Sequence, residues 1–132
     1  MAFVADNSVI VAWFSRSQAT AYTDRMFKRL RTERVHVPGL WPTEFANAMV
    51  LLERRRILRR EQVAQIGAKA AQLVTNIAEP AAVPLLIEVA RRHDLTAYDA
   101  AYLELAMRLS FHLASKDGPL AAAARKARLL AD

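Results

Sequence analysis

Asp6, Glu44, Asp99 and Asp117 are the residues of this chain whose type and placement could do chemistry. They stand in FVADNSV, WPTEFANAM, LTAYDAAYLELA and LASKDGPL, each at the end of a strand-like run or the start of a helical one. Carboxylates gathered in one place repel one another and are costly to bury without a counter-charge. A divalent cation removes both costs, and Mg²⁺ or Mn²⁺ is the natural ion for an all-oxygen site. Such an ion polarises a phosphate and supplies a metal-activated water for phosphodiester hydrolysis. Ser8 and Ser115 each lie two residues from an Asp and can hydrogen-bond it. Asn47 follows Glu44 by three, on the same helix face, and can orient that carboxylate.

Each acid also has a purely structural explanation. Thr96 to Asp99 fits a capping box. Glu44 falls in a first helical turn, where the helix dipole favours negative charge. Asp117, before Gly118-Pro119, reads as an N-cap, and Asp6, before Asn7-Ser8, as a turn residue. Four unrelated caps would have to mimic a site by coincidence, so the shared metal site is preferred. Nucleophilic catalysis has no support, because there is no cysteine and no serine in a nucleophile turn. A glycine-rich phosphate loop is also absent, and His36, His93 and His112 share no metal-ligand spacing. Trp13, Trp41, Tyr98 and Tyr102 read as core residues before base-stacking ones.

The elements that must position these acids alternate in type. Phe3-Val4-Ala5 is a buried first strand ending at Asp6, and Ser8 or Asn7 caps a helix through Trp13. Helical spacing covers Ala19 to Arg31. Val35-His36-Val37 is a strand closed by Pro38-Gly39. Pro42-Thr43-Glu44 opens a helix that pairs with another from Arg60 to about Leu73. A short strand over Val74 to Ile77 follows, then helices from Ala82 to His93 and from Thr96 to Leu109. Phe111 to Ala114 is the fourth strand, Pro119 opens a last helix through Lys126, and Leu129-Leu130 reads as a final edge strand. This alternation predicts a parallel sheet covered on both faces, with ligands bound beyond the strands' C-terminal ends.

The bulk properties agree. At 132 residues, with no repeat or linker, the chain reads as one domain over 1–132. The absence of cysteine excludes thiolate metal sites and suits a reducing, cytoplasmic setting. The N-terminus reads as strand and helix, not as a signal peptide, and no apolar stretch is long enough to span a membrane. A net charge of +6 favours a polyanionic partner, nucleic acid first. Arg54, Arg55, Arg56, Arg59 and Arg60 form the densest basic stretch and are candidate RNA-phosphate contacts. The dispersed group Arg25, Lys28, Arg29, Arg31 and Arg34 could serve the same end, cover a helix face, or meet a protein partner.

Together, the four segments quoted above resemble PIN-domain ribonucleases, most closely the VapC-type toxins of toxin–antitoxin pairs. The likeness spans essentially the whole chain and rests on Asp6 and Ser8, Glu44 and Asn47, Asp99, and Ser115 and Asp117, in that order. It implies a three-layer α/β/α sandwich with a short parallel central sheet and a Mg²⁺- or Mn²⁺-dependent endoribonuclease. Asp6 and Asp99 would be direct metal ligands, and Glu44 and Asp117 ligands directly or through water. Ser8, Asn47 and Ser115 would support them. The resemblance further implies a homodimer and a cognate antitoxin whose tail covers the active-site groove. Ala5, where a larger aliphatic residue is usual, and Asn7, in place of a small residue, depart from the pattern without removing a ligand. The short chain, with no room for a DNA-clamping domain, favours RNA as substrate. Action on another nucleic acid, or a non-catalytic module binding RNA or protein, are the competing expectations.

Overall fold

A computed structural model describes residues 1–116 and 118–132. Its sheet has four parallel strands: β1 (Ala2–Ala5), β2 (Arg34–Pro38), β3 (Asn76–Ala78) and β4 (His112–Ala114), in the spatial order β3-β2-β1-β4. The helices are α1 (Asn7–Phe14), α2 (Ala21–Arg29), α3 (Trp41–Arg54), α4 (Arg60–Leu73), α5 (Val83–His93), α6 (Ala97–Leu109) and α7 (Pro119–Lys126).

Strand alternation sorts the core into two layers, since successive side chains leave opposite faces of a strand. Phe3 and Ala5 pack with Ile10, Met26, Phe45 and Met49 from α1, α2 and α3. Val4, between them, packs with Tyr102, Leu103, Leu113 and Leu120 on the other face. The expected α/β/α sandwich is therefore present, with Phe3, Val4 and Ala5 of β1 fully buried between both layers.

The chain builds outward from β1 to β2 and β3, then returns to place β4 on the other side of β1. Strand order thus reverses between β1 and β4. At such a switch point the connections leave in opposite directions and open a crevice at the strands' C-terminal ends. Asp6 follows β1 and Ser115 follows β4, so both stand at that crevice.

Three local expectations are corrected. The third strand is Asn76–Ala78, not Val74 to Ile77. Val74 is instead the C-cap of α4, where it is 98% buried in the first core layer, and pairing with β2 begins only at Asn76. The helix expected from Ala19 begins at Ala21, because Thr20 and Thr23 cap each other reciprocally and fix its start. The last edge strand reduces to one parallel bridge, Leu113 to Leu130, held by Leu113 N–H to Leu129 O and Ala131 N–H to Leu113 O. Among the described residues, no helix is long and apolar enough to cross a membrane.

Candidate active site

Asp6 is the N-cap of α1, a place the sequence reading gave to Ser8 or Asn7. Its Oδ1 accepts from the Val9 N–H at 3.0 Å and from the Ser8 hydroxyl at 2.7 Å. Its Oδ2 accepts from the Ser115 hydroxyl at 2.6 Å, across the switch point. The backbone joins there as well, through Asp6 N–H to Ala114 O at 2.9 Å. A carboxylate offers about four lone-pair positions. Three are taken by protein donors here, so Asp6 is held in one orientation with capacity to spare. Burial pushes its carboxyl above the ordinary Asp range, and the bonds from Ser115, Ser8 and Val9 oppose that shift only in part.

Glu44 lies in the first turn of α3, which Pro42 helps to start. Its Oε1 accepts a 2.6 Å hydrogen bond from the Tyr102 hydroxyl. Tyr102 is 98% buried on α6, so a rigid core residue fixes Glu44 from the opposite layer. Burial raises the Glu44 carboxyl, the Tyr102 bond lowers it, and the negative charges of Asp99 and Asp6 raise it again. Tyr102 itself is driven far above the ordinary phenol range, by burial first and then by its bond to Glu44. The phenol thus stays protonated and acts as a permanent donor.

Asp99 lies in the first turn of α6, and only half of the expected capping box is built. Its backbone N–H bonds the Thr96 hydroxyl at 3.1 Å. The return bond, from Thr96 N–H to the Asp99 carboxylate, is absent among the described residues. That carboxylate is therefore not consumed by capping. Burial first, and then the charge of Asp6, raise its pKa.

Asp6, Glu44 and Asp99 thus come from three distant segments; Glu44 feels the charges of Asp99 and Asp6, and Asp99 that of Asp6. Among the described residues none of the three forms a salt bridge. Asp117 lies outside the described residues. Among those described, no three acidic or imidazole side chains enclose a metal ion by themselves. Mg²⁺ does not need such a cage: it is commonly held by one or two carboxylates and keeps waters in its shell. Oxygen-only donors, raised carboxyls and, among the described residues, no salt bridge to any of the three acids together fit such an ion.

The supporting residues divide. Ser8 and Ser115 hold Asp6 as expected. Asn47 is exposed and makes no side-chain hydrogen bond to Glu44 among the described residues. Tyr102 packs in the core as its setting in the sequence predicts, and its hydroxyl also anchors an acid. No one-dimensional pattern signals that bond, because its partner is 58 residues away. Tyr98 departs from its expected place in the core: it is 67% exposed, beside Asp99. The basic stretch Arg54, Arg55, Arg56, Arg59 and Arg60 is exposed at the turn between α3 and α4. Glu44 is at the other end of α3, so Arg54 lies ~15 Å further along the axis, at 1.5 Å per residue. The arginines are not beside the acids.

In a parallel α/β domain of this kind, the crevice at the switch point is where ligands bind, and Asp6 and Ser115 stand there. The PIN domain model matches residues 3–126, and the chain belongs to that family, whose members are generally nucleases. Among solved structures, the crystal structure of PAE2754 from Pyrobaculum aerophilum is similar in fold, with a TM-score of 0.73 at 21% identity. The match covers 93% of this chain and 79% of that one. No curated protein matches the sequence.

Proposed function

We propose that the protein is a divalent-metal-dependent endoribonuclease and the toxin of a type II toxin–antitoxin pair. The observation that carries the nuclease reading is Asp6, held by Ser115 across the switch point, with Glu44 and Asp99 close enough for its charge to raise their carboxyls and none of the three in a salt bridge among the described residues. These three, with Asp117, would hold Mg²⁺ or Mn²⁺. When bound, the ion polarises the scissile phosphate and acidifies water in its shell. The chain's own part is positional. Ser8, Ser115 and the Val9 N–H fix Asp6, and Tyr102 fixes Glu44. Tyr98, exposed next to Asp99, offers a ring on which a base can stack.

The toxin role, a homodimeric state and a cognate antitoxin rest on the likeness of the four acid-bearing segments to VapC-type proteins. The test is incubation of the purified protein with RNA and with DNA of equal sequence, with Mg²⁺ and with EDTA. Cleavage of RNA that needs the metal is the expected result. Undiminished cleavage in EDTA refutes the metal role, and preference for DNA moves the substrate to another nucleic acid. Growth arrest on induction, relieved by co-expression of a neighbouring antitoxin gene, tests the toxin role.

A further inference from the structure

Two clefts that share a wall lie beside Ser115, one hydrogen bond away from Asp6. The first, about 300 Å³, is lined by Tyr22, Ser115, Lys116 and Arg125 among others. The second, about 500 Å³, shares Tyr22, Arg125 and Leu130 with the first and adds Arg25 and Arg128. Ser115 joins this channel to the acids: its side chain bonds Asp6, while its N–H donates to the Tyr22 hydroxyl at 3.2 Å. The Tyr22 hydroxyl in turn donates to Ala131 O at 2.9 Å, so the tyrosine forms a fixed wall.

The cations here come from separate places: Arg25 from α2, Lys116 from the segment after β4, and Arg125 and Arg128 from the end of α7 and just beyond it. Lys116 is spent on Gln18 O at 2.9 Å. Arg25 lies over the Tyr22 ring, 5.6 Å from its centroid, and meets the exposed Asp132 at a loose 3.9 Å. Arg125 and Arg128 have no carboxylate partner among the described residues. Asp132 is the acid lining either cleft among those residues. Cation placement at the end of a helix accounts for Arg125 alone. It does not account for cations from three segments facing one channel.

We propose, on the basis of the nuclease reading above, that this channel carries single-stranded RNA to or from the acids. Arg125 and Arg128 hold its phosphates, and the Arg25–Tyr22 pair supplies a planar face for a base. Cavities of a few hundred Å³ have the scale of small-ligand sites and admit a flexible strand a nucleotide or two at a time. A rigid duplex does not enter them. A positive groove with an aromatic platform is the general solution for binding single strands. The exposed arginines at the turn between α3 and α4 line neither cleft.

The test uses the full chain in an Asp99→Asn background, which keeps the RNA intact. Affinity for a labelled single-stranded oligoribonucleotide is measured by fluorescence anisotropy over a range of salt concentrations. Removing Arg25, Arg125 and Arg128 together as Gln variants is expected to weaken binding at least ~10-fold. It should also flatten the log–log salt slope by about 1.4, since each of the two phosphate contacts, from Arg125 and Arg128, contributes roughly 0.7 on a single strand. The matched set Arg54→Gln, Arg55→Gln and Arg60→Gln is expected to change both far less. Unchanged binding by the groove variant overturns the proposal, and so does an equal loss from the turn set, which would signify diffuse attraction. Equal affinity of the parent for duplex RNA overturns the single-strand assignment. If the triple variant does not melt as the parent does, Arg125→Glu, exposed on α7, carries the same comparison. Metal-dependent cleavage by wild type, assayed separately, reports the nuclease reading. Cleavage with unaltered groove-variant affinity sinks the channel alone, and groove-dependent binding without cleavage sinks the nuclease alone.

Discussion

α6 carries two acids five residues apart that the fold treats in opposite ways. Glu104 is 95% buried, yet Arg108 reaches it with two hydrogen bonds of 2.8 and 3.0 Å and then bonds Glu79 O. Asp99 is less buried and has no cation partner among the described residues. The same contrast recurs elsewhere. Glu33, gripped by Arg29 at 2.7 and 3.0 Å, has its pKa lowered chiefly by that bond, whereas burial raises those of Asp6, Glu44 and Asp99. With 19 Lys and Arg against 13 Asp and Glu, cations are plentiful in this chain. Acids without an ion-pair partner among the described residues, amid such a surplus, are what the proposed metal site rests on.

The sharpest way to break the comparison is to exchange the consequences of the two sites. Asp99→Asn is expected to lower cleavage ~1,000-fold, the scale for removing one preorganised electrostatic group, or about 4 kcal/mol. Its metal-free stability should hold or rise, because the change relieves repulsion. Arg108→Ala should do the reverse. It strands a buried Glu104 and is expected to cost ~2 kcal/mol of stability, below the usual figure for a fully buried pair because Arg108 is partly exposed. Cleavage by that folded variant should stay near wild type. Turnover measured at saturating RNA, together with denaturant melts, decides both. A dead Arg108→Ala enzyme or an active Asp99→Asn one erases the distinction.

Metal addition gives the next largest effect. At ~100 times its dissociation constant, a metal that binds only the folded state adds about 2.7 kcal/mol. Mg²⁺ or Mn²⁺ should therefore raise the melting temperature of wild type and Arg108→Ala alike, and raise Asp6→Asn much less. Equal shifts for all three proteins would mean that the ion does not use the switch-point acids.

Much of this contrast was legible in one dimension. An apolar run ending on Asp6 singles that acid out, the helix start at Thr96 singles out Asp99, and the four-strand order of types follows from alternating patterns. What escaped depends on distance in sequence. The Asp6–Ser115 bond spans 109 residues and the Tyr102–Glu44 bond spans 58, and neither leaves a local trace. Basic residues show the same limit: the five arginines crowded together in sequence lie exposed at the turn between α3 and α4, at the far end of α3 from Glu44. Those that line the channel beside Ser115 are scattered over α2 and the end of α7. Val74 shows the limit on strand boundaries, since an apolar residue closing a helix into the core looks like one opening a strand.

Tyr102→Phe sharpens the comparison by removing one hydroxyl without emptying the core. Phe fills nearly the same volume, so stability should change little, while Glu44 loses the donor that orients it. Supporting residues of this kind are worth roughly 10–100-fold in metal affinity or activity. We expect the lower end, ~10-fold, because Glu44 keeps its place on α3. The metal concentration for half-maximal cleavage should rise with the loss of rate. A fall in rate with no change in metal requirement would assign Tyr102 to packing alone.

The smallest effect is in the pH dependence of the metal-free fold, and its sign separates the two classes of acid. Asp6, Glu44 and Asp99 have folded-state pKa values raised above 3.8, 4.5 and 3.8 respectively. Protons then bind the folded state more tightly than the unfolded one, so these groups stabilise at low pH, and that contribution is lost as pH rises through their folded values. Glu33, lowered from 4.5, works the other way: its contribution is present above its unfolded pKa and is lost on acidification. In EDTA, the stability of Asp6→Asn relative to wild type should therefore climb as pH goes from about 4 toward neutrality. That of Glu33→Gln should decline over the same interval, and adding Mg²⁺ should abolish the first trend while leaving the second. Parallel slopes for the two variants would show that the switch-point acids are as well compensated as any surface pair, and that no cation is missing from among them.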